Sequence, residues 1–305
     1  MRPLALAPLA LAACGGDLSN QVFIEDAAFR AALPYVDDLT VVYPNDLDAT
    51  GLSEDLTFLD TTLVTLDSAA VWTTLFSAVC DTARTYAPSE RGDDLRIWGP
   101  SPWADRPGYF LRAEMSRTPD EAVYTYSIQA AATSVGIWRE FFTGIWYTDP
   151  DTASEWQGEA TWDLGVLGAL LGEDADGEVI LHYNQLEDAV ELELIGTPTD
   201  DRPGTATHLW QSAEGEGLFE LRTELDFYGG DTLERYHLTT RWNPEGDGRG
   251  ETLLSSGDLG PVQVLLSQCW SAAPSLSWQA GADDEAWWPD VGVEDDCTLA
   301  ATEAE

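Results

Sequence analysis

Lysine is absent from this 305-residue sequence, so all 14 of its Lys and Arg side chains are Arg, set against 55 acids for a formal net charge of -41. Without Lys, Walker-type phosphate loops and Schiff-base chemistry are excluded. With so few cations and no cluster of them, attraction to nucleic acid or to an anionic lipid surface is excluded as well. A solvated acidic surface accounts for most of the carboxylates. Histidine is scarce too: His182, His208 and His237 all fall in expected strands, none at zinc-type spacing. No Gly-x-Ser-x-Gly run exists for a nucleophile elbow. Asp46-x-Asp48-x-Thr50-Gly51 and Asn243-x-Glu245-x-Asp247-Gly248 begin like calcium loops but carry Thr57 and Leu254 where a bidentate Glu belongs, so both read as turns. No catalytic residue, metal site or cofactor is expected.

What the chain does have is a core-forming composition, 44% hydrophobic and 10% aromatic, ample for one sizeable core. It also has an export pattern. Arg2 precedes the apolar run Leu4 to Ala13, too short to span a bilayer, and the run ends in Leu11-Ala12-Ala13-Cys14. These four residues resemble the lipobox of bacterial lipoproteins, in which small residues precede a cysteine that becomes diacylated. The resemblance implies lipidation at Cys14 and a membrane held through that lipid. In Gram-negative lipoproteins an Asp directly after the cysteine retains the protein at the inner membrane; Gly15 stands there, so the expected address is the outer membrane of the cell envelope.

Only four cysteines are present, and with Cys14 given to lipid an odd trio remains: Cys80, Cys269 and Cys297. At most one internal pair forms among three. Cys269 and Cys297 are the expected pair, because they bracket a Pro-, Ser-, Asp- and Gly-rich segment that would otherwise fray. Closing that loop contributes about 3 to 4 kcal/mol in the chain-entropy model. Cys80 sits in the run Asp67 to Ala87, where Val71, Trp72, Leu75, Phe76, Val79, Cys80 and Ala83 recur at helical spacing; it reads as a buried, inert thiol.

Along the chain, residues 1–13 read as a lipoprotein signal peptide and 14–35 as a lipidated tether with a short helix over Val22 to Leu33. Residues 36–305 read as a single β-rich soluble domain. A strand is expected over Leu39 to Tyr43, then the long helix, capped by Asp67 or Ser68 and stopped before Pro88. From Tyr109 the hydrophobic period changes to two. Strands are expected over Tyr109 to Ser116, Ala122 to Ala132, Ile137 to Tyr147, Glu155 to Trp162, Glu178 to Asn184, Ala189 to Ile195, Thr205 to Gln211, Leu218 to Asp226, Leu233 to Trp242, Glu251 to Ser255 and Val262 to Ser267. Phe219, Leu221, Thr223 and Leu225 alternate with charged neighbours, giving at least that part of the sheet a wet face. Leu164 to Leu171 is open between a short helix and a lid. The fold class is mainly β with one long helix (α+β), an antiparallel curved sheet or half-barrel-like meander.

The order of a helix, Ile97-Trp98-Gly99-Pro100, paired hairpins, Arg241-Trp242, Gly248-Arg249-Gly250 and Cys269-Trp270 with a late Cys297 resembles a group of uncharacterised β-rich envelope lipoproteins. That group usually has an acid before the Cys-Trp pair, where this chain has Gln268. The resemblance implies location and fold, with no activity.

Thirteen Trp residues remain to be placed. Trp138, Trp146, Trp156 and Trp162 lie near one another in sequence and are the candidate lining of a groove for an apolar ligand, against core packing as the alternative. The expectation is a non-enzymatic lipoprotein that binds a lipid or other apolar ligand. A structural or partner-docking envelope module is the alternative, with a hydrolase built on a carboxylate pair as a third reading. If Cys14 carries the anchor, Cys14→Ser moves a folded protein, its Cys269–Cys297 bridge intact, from the membrane to the soluble fraction. Retention of that variant with membranes would overturn the anchor.

Overall fold

The computed structural model describes residues 21–33, 43, 56–104, 106–118, 123–148, 157–184, 189–195, 205–211, 216–230, 232–281 and 288–301. Cys14, Trp156, Trp287, the acidic loop at Asp46 and all of the expected first strand except Tyr43 lie outside them. The elements run in order α1 (Gln21–Ala31), α2 (Thr57–Thr85), β1 (Glu90–Arg91), β2 (Leu95–Pro102), β3 (Phe110–Thr118), β4 (Val123–Ala131), β5 (Arg139–Tyr147), β6 (Gly158–Asp163), α3 (Leu164–Leu171), β7 (Glu178–Asn184), β8 (Ala189–Ile195), β9 (Thr205–Gln211), β10 (Gly217–Leu225), β11 (Glu234–Trp242), β12 (Gly248–Ser255), β13 (Gln263–Trp270) and β14 (Leu276–Gly281). Each strand pairs antiparallel with the next, giving one 14-stranded meander in sequence order. Among the described residues nothing pairs β1 with β14, so the sheet is open.

Strict period-two burial shows which face is inside. Val179, Leu181 and Tyr183 on β7 and Tyr236, Leu238, Thr240 and Trp242 on β11 are all buried, while their neighbours are less so. Several inward side chains are very large, and their counterparts across the ladder are as small as possible. Tyr126 is paired with Gly144, Tyr183 with Gly158, Trp242 with Gly217 and Trp270 with Gly248. A Cβ at any of these four glycines would fall 2.3 Å or less from an atom of the facing ring. The rings therefore lie down over the neighbouring backbone, which lets a sheet lined with Tyr and Trp still close upon a helix.

That helix is α2. Its 29 residues extend about 43 Å. Its first turn meets the β12–β13 region, where the Phe58 N–H donates to Gln268 Oε1 at 3.2 Å and a Cβ on Gly250 would touch Phe58. One turn on, Thr62 Oγ1 donates to Thr240 Oγ1 of β11 at 2.9 Å. Farther along, the Phe76 ring sits among Tyr126, Phe142, Trp162 and Tyr183, with centroids 5.5 to 6.4 Å away. At the far end the Tyr86 carbonyl accepts from Trp98 Nε1 of β2 at 2.9 Å. By length and composition α2 could cross a membrane; here Phe58, Leu59, Leu63, Leu66, Phe76 and Cys80 are buried in the core beside the sheet.

The helix begins at Thr57, ten residues ahead of the expected cap at Asp67 or Ser68. The reason is local. Thr61 and Thr65 return their hydroxyls to carbonyls one turn back, so β-branched, cap-like residues are absorbed within the helix. Three shorter segments also depart from expectation. β2 and β14 are full strands in stretches read as a motif and a loop. Ile137 lies outside β5, which starts at Arg139. Leu164–Leu171 resolves as a helix, capped by Asp163 accepting from the Val166 N–H at 2.7 Å and closed by left-handed Gly172.

Two peripheral segments are clamped by the scarce arginines. On α1, Asp26 accepts from Arg96 at 2.7 Å and Arg91 at 3.0 Å, and Glu25 pairs with Arg117 at 2.8 Å. Burial pushes the Asp26 carboxyl up, but hydrogen bonds from Arg91 and Arg96 outweigh it and hold the group below its ordinary value. At the other end of the chain, Cys297 is bonded to Cys269. Buried Arg249 ties the same segment down, reaching Glu294 at 2.9 Å and the Leu299 carbonyl at 3.4 Å over the Trp278 ring.

The Tyr126–Gly144 pair offers a direct test of the lining. Tyr126 is held by Phe76, Phe142 and a 2.9 Å hydroxyl contact with Tyr183, so it cannot swing away cheaply. Gly144→Val is expected to cost about 1–3 kcal/mol, as overpacking of a filled core does. Urea denaturation measures it, and an unchanged midpoint would mean that the ring yields freely.

Candidate functional site

The inner face is filled around Phe76 but not beyond it. Between the C-terminal half of α2, strands β2 to β6 and α3 lies a groove with a cavity volume of about 660 Å³. Small-molecule sites occupy roughly 300–1,000 Å³. Leu75, Val79, Trp98, Trp103, Leu111, Ala113, Ile128, Phe141, Trp162, Leu167 and Leu171 give it an apolar wall. Among the described residues the polar lining is limited to Thr82, Ser101 and Arg112, with no carboxylate.

Two irregularities in the ladder create this space. On β5, Ile128 pairs with Phe142 and Gln129 with Glu140, leaving Phe141 unpaired in a bulge. The extra residue re-aims Phe141 to the groove beside inward-facing Phe142. There it stacks on Trp103, centroids 5.9 Å apart and planes within 6°. On β2, Trp98 pairs with Ala113 and Ser101 with Leu111, so Gly99 and Pro100 loop out. Gly99 has φ +101, and a Cβ there would meet the Leu111 carbonyl at 2.7 Å, so glycine is required. α3, capped as above, supplies Leu167 and Leu171 as the third side.

The helix contributes a side that the sheet does not cover. Leu75 is 45% exposed and Val71, one turn earlier, 56% exposed. With Ala78 and Thr82 they form a stripe at helical spacing along the open edge of the groove. Apolar surface of this kind, continuous with a cavity, is what an apolar ligand would cover.

Of the four Trp residues expected to line a groove, the structure brings two to this place. Trp162 is in its wall, 5.4 Å from Trp72. Trp138 stands at its rim, under the Arg112 guanidinium at 4.9 Å. Trp146 is elsewhere, buried and stacked on Tyr183 at 5.4 Å, and Trp156 lies outside the described residues. Sequence reasoning missed Trp98, Trp103, Leu75, Val79 and Phe141. Leu75 and Val79 were legible as helix core, yet only topology shows that this part of the helix is left partly bare.

Among the described residues, no group of three His, Cys, Asp or Glu side chains is placed to hold a metal ion. Asn243 and Asp247 hold a turn: the Asp247 N–H donates to Asn243 Oδ1 at 2.9 Å, and Asp247 Oδ1 accepts from the Ala272 N–H at 2.7 Å. His182 lies 3.4 Å from Glu159 and His237 3.9 Å from Glu220, both on strands.

The chain matches no family model, no curated protein and no solved structure. The site therefore rests on its own geometry.

Cys80 borders the groove helix but faces the core. Burial pushes its thiol up to about 12, the nearby Arg84 charge opposing only in part. At neutral pH it is protonated and shielded. Iodoacetamide is expected to leave Cys80 unmodified in the folded protein and to alkylate it in denaturant, as read by intact mass. Rapid labelling of the native protein would show that the Phe76 core opens.

Proposed function

We propose that this protein is an envelope lipoprotein, tethered through Cys14, that holds a lipid acyl chain or a ligand of like character in the groove between α2 and the curved sheet. The observation that carries the reading is the groove itself: a wall of aliphatic and aromatic side chains, without a carboxylate among the described residues, and a bare apolar helix edge beside it. Burial of apolar surface yields roughly 25 cal/mol per Å², so such a groove favours apolar occupants over water without any specific polar contact. Arg112 and Ser101 supply the few polar groups able to orient a headgroup at one end. Carboxylate-pair hydrolysis gains no support from this lining. Partner docking remains the alternative, and the open stripe on α2 is the surface it would use.

The test is binding of a fluorescent fatty acid to the full chain. Ala78→Trp places an indole at the groove edge on an exposed position of α2, where it obstructs the ligand without loading the core. Affinity is expected to fall by about tenfold, corresponding to about 1.4 kcal/mol. The unfolding midpoint should stay near that of the parent. Native mass spectrometry of detergent-free protein should show co-purifying lipid that the variant retains less of. A parent that binds no probe, or a variant that binds it as well as the parent, overturns the reading.

A further inference from the structure

We infer that the β4–β5 hairpin tip is a membrane-contacting element that sets the rim of the groove against a zwitterionic lipid surface; this rests on the groove reading above. The turn joining β4 to β5 is closed by the Gly136 N–H donating to the Thr133 carbonyl at 3.0 Å. Hairpin apices ordinarily carry Gly, Asn, Asp or Ser, whose backbone and side-chain properties suit the bend. This one has Ser134 and Gly136 at the bend but sets Val135 and Ile137 beside them, exposed to 92% and 90%. Those are the two most exposed large hydrophobic side chains among the described residues.

Position joins the tip to the groove. Phe110 pairs with Ala131 and Arg139 with Ala130, so the tip projects from the end of the sheet at which Ser101, Trp103, Leu111 and Phe141 line the groove. Trp138, next to Ile137, packs under Arg112, which itself lines the groove. Behind the two apolar residues therefore stands a collar of Trp103, Trp138, Arg112 and Arg139. Trp at the headgroup level with apolar side chains beyond it is the arrangement that suits a membrane–water interface.

Charge identifies the kind of surface. In a chain with 55 acids, none occurs from Ala122 to Arg139. The tip itself thus carries no acid, with Arg139 at its edge to meet headgroup phosphates; acids resume just behind it at Glu140, which meets Gln129, and at Glu114, which pairs with Arg112. The net charge of -41 still opposes approach to an anionic bilayer. A zwitterionic bilayer offers phosphates to Arg139 without that long-range repulsion.

The experiment is co-sedimentation of the full Cys14→Ser chain, free of any acyl anchor, with phosphatidylcholine vesicles. The parent is expected to bind. Val135→Asp/Ile137→Asp is expected to lower the partition coefficient by at least about tenfold, since each lost apolar insertion exceeds or approaches 1.4 kcal/mol. Both side chains are exposed, so the unfolding midpoint should hold. A parent that does not bind these vesicles, or a tip variant that binds them equally well, overturns the inference. Fatty-acid binding in solution, measured on the same two proteins, separates the two proposals. Loss of vesicle binding with fatty-acid binding intact in the variant supports the tip as a contact element distinct from the ligand groove. A parent that binds vesicles through the tip but takes up no fatty acid overturns the groove reading and leaves the tip standing.

Discussion

An antiparallel sheet of this width, open at both edges, has one large inner face to keep from water, and a single helix does most of that work. Two of the contacts between α2 and the sheet set its course. Near its start, Gln268 accepts the Phe58 N–H and Thr62 meets Thr240. Eighteen residues on, about 27 Å along the axis, Phe76 enters a cage of four aromatic rings. For both seams to form on one straight helix, the sheet must curl toward it. Curling crowds the inner face, and the crowding is relieved where Tyr126, Tyr183, Trp242 and Trp270 each lie over a glycine across the ladder. Removing that relief forces rings into backbone, and neither seam could close.

The same seam fixes where the groove is. Aromatic side chains fill the space under the middle of α2, whereas toward its C-terminal end the small side chains of Ala78, Ala113 and Thr82 stand among the larger wall residues and leave room between them. The two ladder irregularities fall there too, on β2 and β5. At the start of α2, buried Gln268 also donates to Gln279 at 2.9 Å, and Gln279 in turn donates to the Pro289 carbonyl. A neutral amide can accept from a helix N–H and donate to a neighbour at once, which an ionised carboxylate at the same buried place could not. The start of α2 is thus tied to the sheet by polar contacts, while the groove opens beside its C-terminal half.

Much of this was readable from the residues, and what was not has physical causes. The period-two runs from Tyr109 onward give strands in nearly the right places, because the sheet has one wet face and alternation is then enforced. The mainly β, open-sheet character follows from those runs and from the single long helical pattern. The start of α2 was hidden because threonines satisfied within a helix look like threonines that end one. β14 was hidden by the Pro- and Ser-rich flank on one side and the acidic tail on the other. The groove was only half legible: Trp162 and Trp138 were in view, but Trp146 was drawn inward by Tyr183, and no one-dimensional signal distinguishes those outcomes. Phe141 reaches the groove through a bulge, and bulges shift a side chain from one face to the other without altering composition.

The placement of α1 bears on how such a protein would work. Phe29 of α1 packs edge-on against Tyr124, and Glu25 meets Arg117, both at the Thr118–Val123 end of β3 and β4. The groove rim and hairpin tip are at the opposite end of those strands, nine residues or about 30 Å away. If lipid on Cys14 holds the α1 end, upright strands carry the rim away from the anchoring surface rather than into it. The groove would then face a second lipid surface or a carrier in the space between, while a recumbent domain would lay helix and tip on the same bilayer. Only the upright posture uses the distance that the fold has put between the α1 end and the rim.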